Sequence, residues 1–143
     1  MIIDTSAVVA VLKREPLHEL IYEYMANAIH ARMSAVTYFE AYQVVEGGRH
    51  GIDPAALDAL LIAAQMEIVP FSLAHARIAR EAFITYGKGQ HPQHPKARLN
   101  LGDCCSYALA KASAEPILYI GGDFSHTDLV PVIPLDILAR DSI

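Results

Sequence analysis

The chain has 143 residues, 53% of them apolar and 19% charged, and a formal net charge of −5 at pH 7. This length suits one compact domain spanning residues 1–143, and the composition excludes a disordered chain. Charges or prolines interrupt every apolar run before the ~18 residues of a membrane span, and nothing basic precedes the opening run, so neither a span nor a secretory leader is expected.

The two cysteines, Cys104 and Cys105, are adjacent and have no others to pair with, which suits a reducing compartment; the expected location is the cytoplasm. They read as small buried helix residues. The acidic balance argues weakly against gripping nucleic acid by bulk charge. It does not exclude a metal-dependent nuclease, because carboxylates gathered in one site supply most of the excess and bound cations invert the local field.

Residues 1–4 form a short apolar run that reads as a central strand, and from Ala7 to Leu12 the pattern turns helical, with Thr5 or Ser6 placed to cap it. Pro16 opens a second helix, in which Leu17, Leu20, Ile21, Tyr24 and Met25 recur at helical spacing. Residues 31–35 read as a second strand. Thr37 to Val45 is helical and Gly47-Gly48 ends it; another helix begins at Pro54 and carries Leu57, Leu60, Leu61 and Ala64. Residues 67–71 form a brief strand stopped by Pro70. Residues 73–86 place Ile78, Ala82 and Phe83 on one helix face and Arg77, Arg80 and Glu81 largely on the other. The stretch from Gly87 to Leu99 is irregular. Leu101 to Ala114 is helical, residues 116–121 form an apolar strand closed by Gly121-Gly122, and residues 130–134 read as a short edge strand. Strands alternating with helices predict a three-layer α/β/α domain around a central, mostly parallel sheet of four to five strands.

Four acids fall where a strand ends or a helix begins. Asp4 closes the first strand, at the sheet edge where open α/β folds bind ligands. Capping the next helix is its ordinary alternative, but Thr5 and Ser6 already offer caps. Glu40 fits a capping box with Thr37, yet its helix is apolar enough to lie against the sheet and aim a first-turn carboxylate into the crevice. Asp103 follows Asn100, a plausible cap, and a helix dipole favours an acid there in any case. Asp123 follows two glycines and reads equally as a turn residue. Each has an ordinary explanation alone; their common placement does not, since solvated charges scatter along helix exteriors. Carboxylate oxygens without cysteine favour Mg²⁺ or Mn²⁺ over zinc.

The segments Ile2-Ile3-Asp4-Thr5-Ser6-Ala7, Ser34-Ala35-Val36-Thr37-Tyr38-Phe39-Glu40 and Leu99-Asn100-Leu101-Gly102-Asp103-Cys104 together resemble the PIN domain. Gly122-Asp123-Phe124-Ser125-His126-Thr127-Asp128 is similar to its VapC-type subgroup, the toxins of bacterial toxin–antitoxin pairs. The resemblance implies a Mg²⁺- or Mn²⁺-dependent endoribonuclease, dimeric and inhibited by a VapB-type antitoxin. It matches Asp4, Glu40 and Asp103 to the three core acids. For the fourth, many relatives carry Asp or Asn where this chain has Gly121 and Gly122; Asp123 is the expected residue, with Asp128 as the alternative.

Substrate contacts are expected from Lys96 and Arg98, with Lys88, Arg77 and Arg80 as further cations, and from Ser6 and His126 beside the acids. His91 and His94 lie in a proline-broken loop without cysteine, a poor frame for zinc. No Ser–His–Asp set is apparent, so Ser6 reads as an orienting group for Asp4. Two other functions compete. A receiver-like Mg²⁺-binding regulatory domain would want paired acids after the first strand, where Asp4 stands alone. A non-catalytic PIN-like binding module would have eroded acids, and here they are present.

Overall fold

The computed structural model describes residues 1–47 and 51–140. In chain order the elements are β1 (Ile2–Ile3), α1 (Thr5–Lys13), α2 (His18–Ala26), β2 (Arg32–Ser34), α3 (Ala35–Glu46), α4 (Pro54–Ala63), β3 (Glu67–Val69), α5 (Leu73–Tyr86), α6 (Leu101–Ser113), β4 (Ile117–Leu118) and α7 (Leu135–Arg140). The strands form one parallel sheet in the order β3-β2-β1-β4. Ile2 lies opposite Arg32 on one side and Ile117 on the other, so β1 is central as its apolar composition requires. Ile2, Ile3, Met33, Ile117 and Leu118 are fully buried. A parallel sheet with such strands needs helices over both faces, and the result is the expected α/β/α layering. All four strands end on one edge of the sheet, which brings Asp4 and Ser34 there together.

Local capping differs from expectation at two helices. Asp4 itself caps α1, accepting the Ser6 N–H, while Thr5 is already helical. Ser34 caps α3, accepting the Val36 N–H, which moves Glu40 out of any capping box and into the second turn. Helix α2 starts at His18 after a left-handed Leu17, two residues beyond Pro16. Gly47 terminates α3, and Gly48 lies outside the described residues.

Residues 130–134 do not make a fifth strand. They contribute a single parallel bridge, Ile117 to Pro131, with Ile117 N–H donating to Val130 O at 2.9 Å and Val132 N–H to Ile117 O at 2.9 Å. Pro131 has no N–H to extend the ladder. Among the described residues no helix is long and apolar enough to cross a membrane.

Candidate active site

Asp4 is the buried centre of the site, only 3% exposed. Its backbone N–H still belongs to the sheet, donating to Leu118 O at 3.0 Å, while its side chain has left it. One carboxylate oxygen, Oδ2, accepts from the Ser6 N–H (2.9 Å) and the Ser6 hydroxyl (2.7 Å). The other, Oδ1, accepts from the Ser106 hydroxyl of α6 at 2.7 Å. Ser106 is fully buried and also lies 3.0 Å from the Thr37 hydroxyl of α3. Donors from α1 and α6 thus hold one carboxylate, with α3 behind them through Thr37, and a buried acid needs such donors. The Ser6 hydroxyl in turn accepts the Ile120 N–H at 3.2 Å, tying the site to the segment after β4.

Glu40 receives the Thr5 hydroxyl at 2.6 Å. The start of α6 passes so close that a Cβ at Gly102 would overlap the Glu40 carboxylate; glycine is what lets helix and acid meet. Burial pushes the Glu40 carboxyl above its ordinary range and the Asp4 charge adds to this, against the opposing Thr5 hydrogen bond. Asp103 forms a reciprocal box with Asn100: its Oδ2 accepts the Asn100 N–H at 2.8 Å, and the Asn100 Oδ1 accepts the Asp103 N–H at 3.0 Å. At 7% exposure its carboxyl is pushed up to about 7, by burial first, then by the charges of Asp4, Asp123 and Glu40 against the Asn100 N–H. Asp123 stands at the more open side. Burial and the Asp4 charge raise it, and Arg98 opposes them.

These repulsions place Asp4, Glu40, Asp103 and Asp123 in one electrostatic neighbourhood. Among the described residues, however, no three His, Cys, Asp or Glu groups are close enough to enclose an ion directly. Glu40 and Asp103 each commit an oxygen to Thr5 or Asn100 instead.

Asp128, the alternative fourth acid, is engaged elsewhere. It accepts the Tyr107 hydroxyl at 2.6 Å and Lys111 Nζ at 2.8 Å. Although burial alone would raise its carboxyl, these donors hold it below the ordinary range.

Of the expected substrate contacts, Ser6 is part of the Asp4 frame and Arg98 is near enough to favour the Asp123 charge, while Lys96 and His126 are exposed on flanking loops. Lys88 and Arg77 are exposed, and Arg80 pairs with Glu81 at 2.7 Å. The His91 and His94 rings lie 5.5 Å apart, and His94 packs edge-on to Tyr86 at 5.0 Å. Burial pushes the Cys104 and Cys105 thiols up to about 12 and about 11, which leaves them unreactive. Ser106 carries no signal of its own in the sequence, and Thr37 reads there only as a helix cap. Ser106 lies three residues beyond Asp103 and Thr37 three before Glu40, spacings that put each on the same helix face as its acid.

The PIN domain family model matches residues 1–129. Ribonuclease VapC30 of Mycobacterium tuberculosis is 44% identical over 139 residues, covering 92% of this chain and 98% of the relative. Among solved structures, VapC20 of Mycobacterium tuberculosis, described as a sarcin–ricin loop cleaving toxin, matches with a TM-score of 0.70 at 16% identity, over 93% of this chain and 98% of that one. VapBC2 from Rickettsia felis, bound to a DNA fragment from their promoter, matches with a TM-score of 0.64 at 14% identity, over 91% of this chain and 94% of that one. The two structures carry the fold alone. The chain belongs to the PIN-domain family, alongside the VapC ribonucleases. A receiver-like domain is thereby set aside.

Proposed function

We propose that the protein is a cytoplasmic, Mg²⁺- or Mn²⁺-dependent endoribonuclease, the toxin of a VapBC-type pair, hydrolysing phosphodiester bonds in RNA. The observation that supports this best is the gathering of Glu40, Asp103 and Asp123 around the buried Asp4 at the sheet edge. The ribonuclease name of the 44%-identical relative points the same way.

The donor set fits a hard dication. It consists of carboxylate oxygens alone; burial first, and then the neighbouring acids, push the Asp103 carboxyl up, and added positive charge offsets both. Mg²⁺ keeps several waters and needs few direct anchors, so acids that stand too far apart to enclose a bare ion still suit a hydrated one. Asp4 and Asp103 would hold the principal ion, and Glu40 and Asp123 a second ion or ordered waters. When bound, the cation supplies a water acidic enough to attack at neutral pH and offsets charge on the phosphate.

The chain's own residues do the positioning. Ser6 and Ser106 fix both oxygens of Asp4, Thr5 turns Glu40 inward, and Asn100 sets Asp103. Arg98 and Lys96 draw the RNA backbone toward the acids, and His126 lies on the loop the substrate meets. A second copy of the chain and a VapB-type antitoxin are the protein partners of this reading. Exposed apolar residues such as Phe39, Leu73 and Leu101 offer surface for them.

The test is sequencing of RNA ends after incubation with purified protein and Mg²⁺. Discrete new ends are expected with the native chain and none with a folded Asp4→Asn variant. Equal cleavage by that variant would overturn the reading.

A further inference from the structure

Two loops flank the acids: residues 87–99, which carry Arg98, and residues 121–130, which carry Asp123. Tyr107 anchors the second loop directly and reaches the first through Tyr86 of α5. Tyr107, buried in α6, donates its hydroxyl to Asp128 Oδ1 at 2.6 Å, at the far end of the second loop. Its ring packs against Tyr86 at 5.7 Å, and Tyr86 packs against His94 of the first loop at 5.0 Å.

The segment from Gly122 to Asp128 is internally braced. Ser125 N–H donates to Gly122 O at 3.2 Å, the Thr127 hydroxyl to Phe124 O at 2.8 Å, and Thr127 N–H to Phe124 O at 3.0 Å. Phe124 is buried with its ring 5.1 Å from Tyr119. Asp123 therefore sits on a small rigid unit pinned at Phe124 and at Asp128, beyond the left-handed Gly121 (φ 91°). Tyr107 lies four residues after Asp103, one turn along the same helix. The pin at Asp128 thus registers the loop acid against the helix acid.

We propose that Tyr107 and Asp128 form a clamp of positioning residues that sets Asp123 against Asp103 and Arg98. This rests on the reading of the acids as a nuclease site. Asp128 is no member of the ion-holding set; it acts through Tyr107. The exposed Lys111–Asp128 pair contributes little, as surface ion pairs do. The Tyr107 hydroxyl matters more, because a buried donor left without its acceptor is costly.

Single-turnover RNA cleavage with Mg²⁺, together with backbone hydrogen exchange of residues 122–128, tests the clamp. Tyr107→Phe keeps the ring and removes the donor; Asp128→Ala removes the acceptor at a half-exposed position. Both should slow cleavage about tenfold at unchanged RNA affinity and speed exchange in the loop. Asp128→Asn, which keeps an acceptor for Tyr107, should restore most of the rate. In an Asp123→Asn background, Tyr107→Phe should add no further loss, since both act at one point. Native rates and native exchange in Tyr107→Phe and Asp128→Ala, or an equal further loss in the Asp123→Asn background, would overturn the clamp. If Asp123→Asn cleaves like the native chain, the fourth-acid reading falls, and the exchange measurement decides the clamp by itself.

Discussion

Ser106 donates its hydroxyl proton to Asp4 across 102 residues of sequence, at 2.7 Å and out of contact with solvent. The bond joins the end of the central strand to the helix that carries Asp103. It makes the spacing of two acids a property of the core. Removing the donor strands a buried carboxylate oxygen. Ser106→Ala should lower stability by about 1–3 kcal/mol, read as a shift of the urea midpoint, and should also lower cleavage. Native stability would show that Asp4 does not depend on this donor.

Gly102 gives a sharper separation of stability from activity. A methyl group there meets the end of the Glu40 side chain, which can swing aside at small steric cost. Gly102→Ala should therefore change stability by less than about 1 kcal/mol while sharply reducing RNA cleavage. A variant that cleaves normally would mean that the inward position of Glu40 is dispensable.

The crowded acids predict an unusual pH dependence. Asp103 has its folded pKa raised to about 7, and Glu40 and Asp123 are raised as well. Between the ordinary carboxylate range and neutrality the folded state binds more protons than the unfolded one, so stability falls as pH rises through that window. Metal-free protein should be more stable near pH 5 than near pH 8, by an amount on the order of a few kcal/mol. Added Mg²⁺ should raise the melting temperature more at pH 8 than at pH 6, because only the ionised acids attract it. Differential scanning calorimetry in EDTA and in Mg²⁺ measures both, and a melting temperature that rises with pH in EDTA would contradict the account.

Substrate attraction is assigned to the loop cations. Replacing Lys96 and Arg98 together by alanine should flatten the salt dependence of RNA binding by a slope of about 1.4, the value for two lost phosphate contacts on a single strand. Fluorescence anisotropy with Asp4→Asn protein, which prevents cleavage, provides the measurement. An unchanged slope would assign the grip to other residues.

Much of this was legible in the sequence. Periodicity located α5 at residues 73–86 and placed β1 at the centre, because two isoleucines with no polar partner can only be buried on both faces. The acids were legible because each falls where a strand ends or a helix begins. What was not legible depended on contacts between distant segments. Thr37 looked like a cap, but the true cap is Ser34, and Thr37 turns inward to meet Ser106. Asp4 caps α1 while serving as the centre of the site, so the two duties first weighed as alternatives coexist in one carboxylate. Asp123 and Asp128 lie in the same loop, but Asp128 is held by Tyr107 and Lys111 of α6 while Asp123 stands near Asp4 and Arg98, a difference that spacing does not encode.

Joint binding of a hydrated dication by these carboxylates is the property on which the proposed activity depends. Titration of the metal-free protein with Mn²⁺, followed by electron paramagnetic resonance of the free ion, measures that directly. Saturable binding by the native chain, lost in folded Asp4→Asn and Asp103→Asn variants, is the predicted result. Equal Mn²⁺ binding by the native chain and both variants would contradict it.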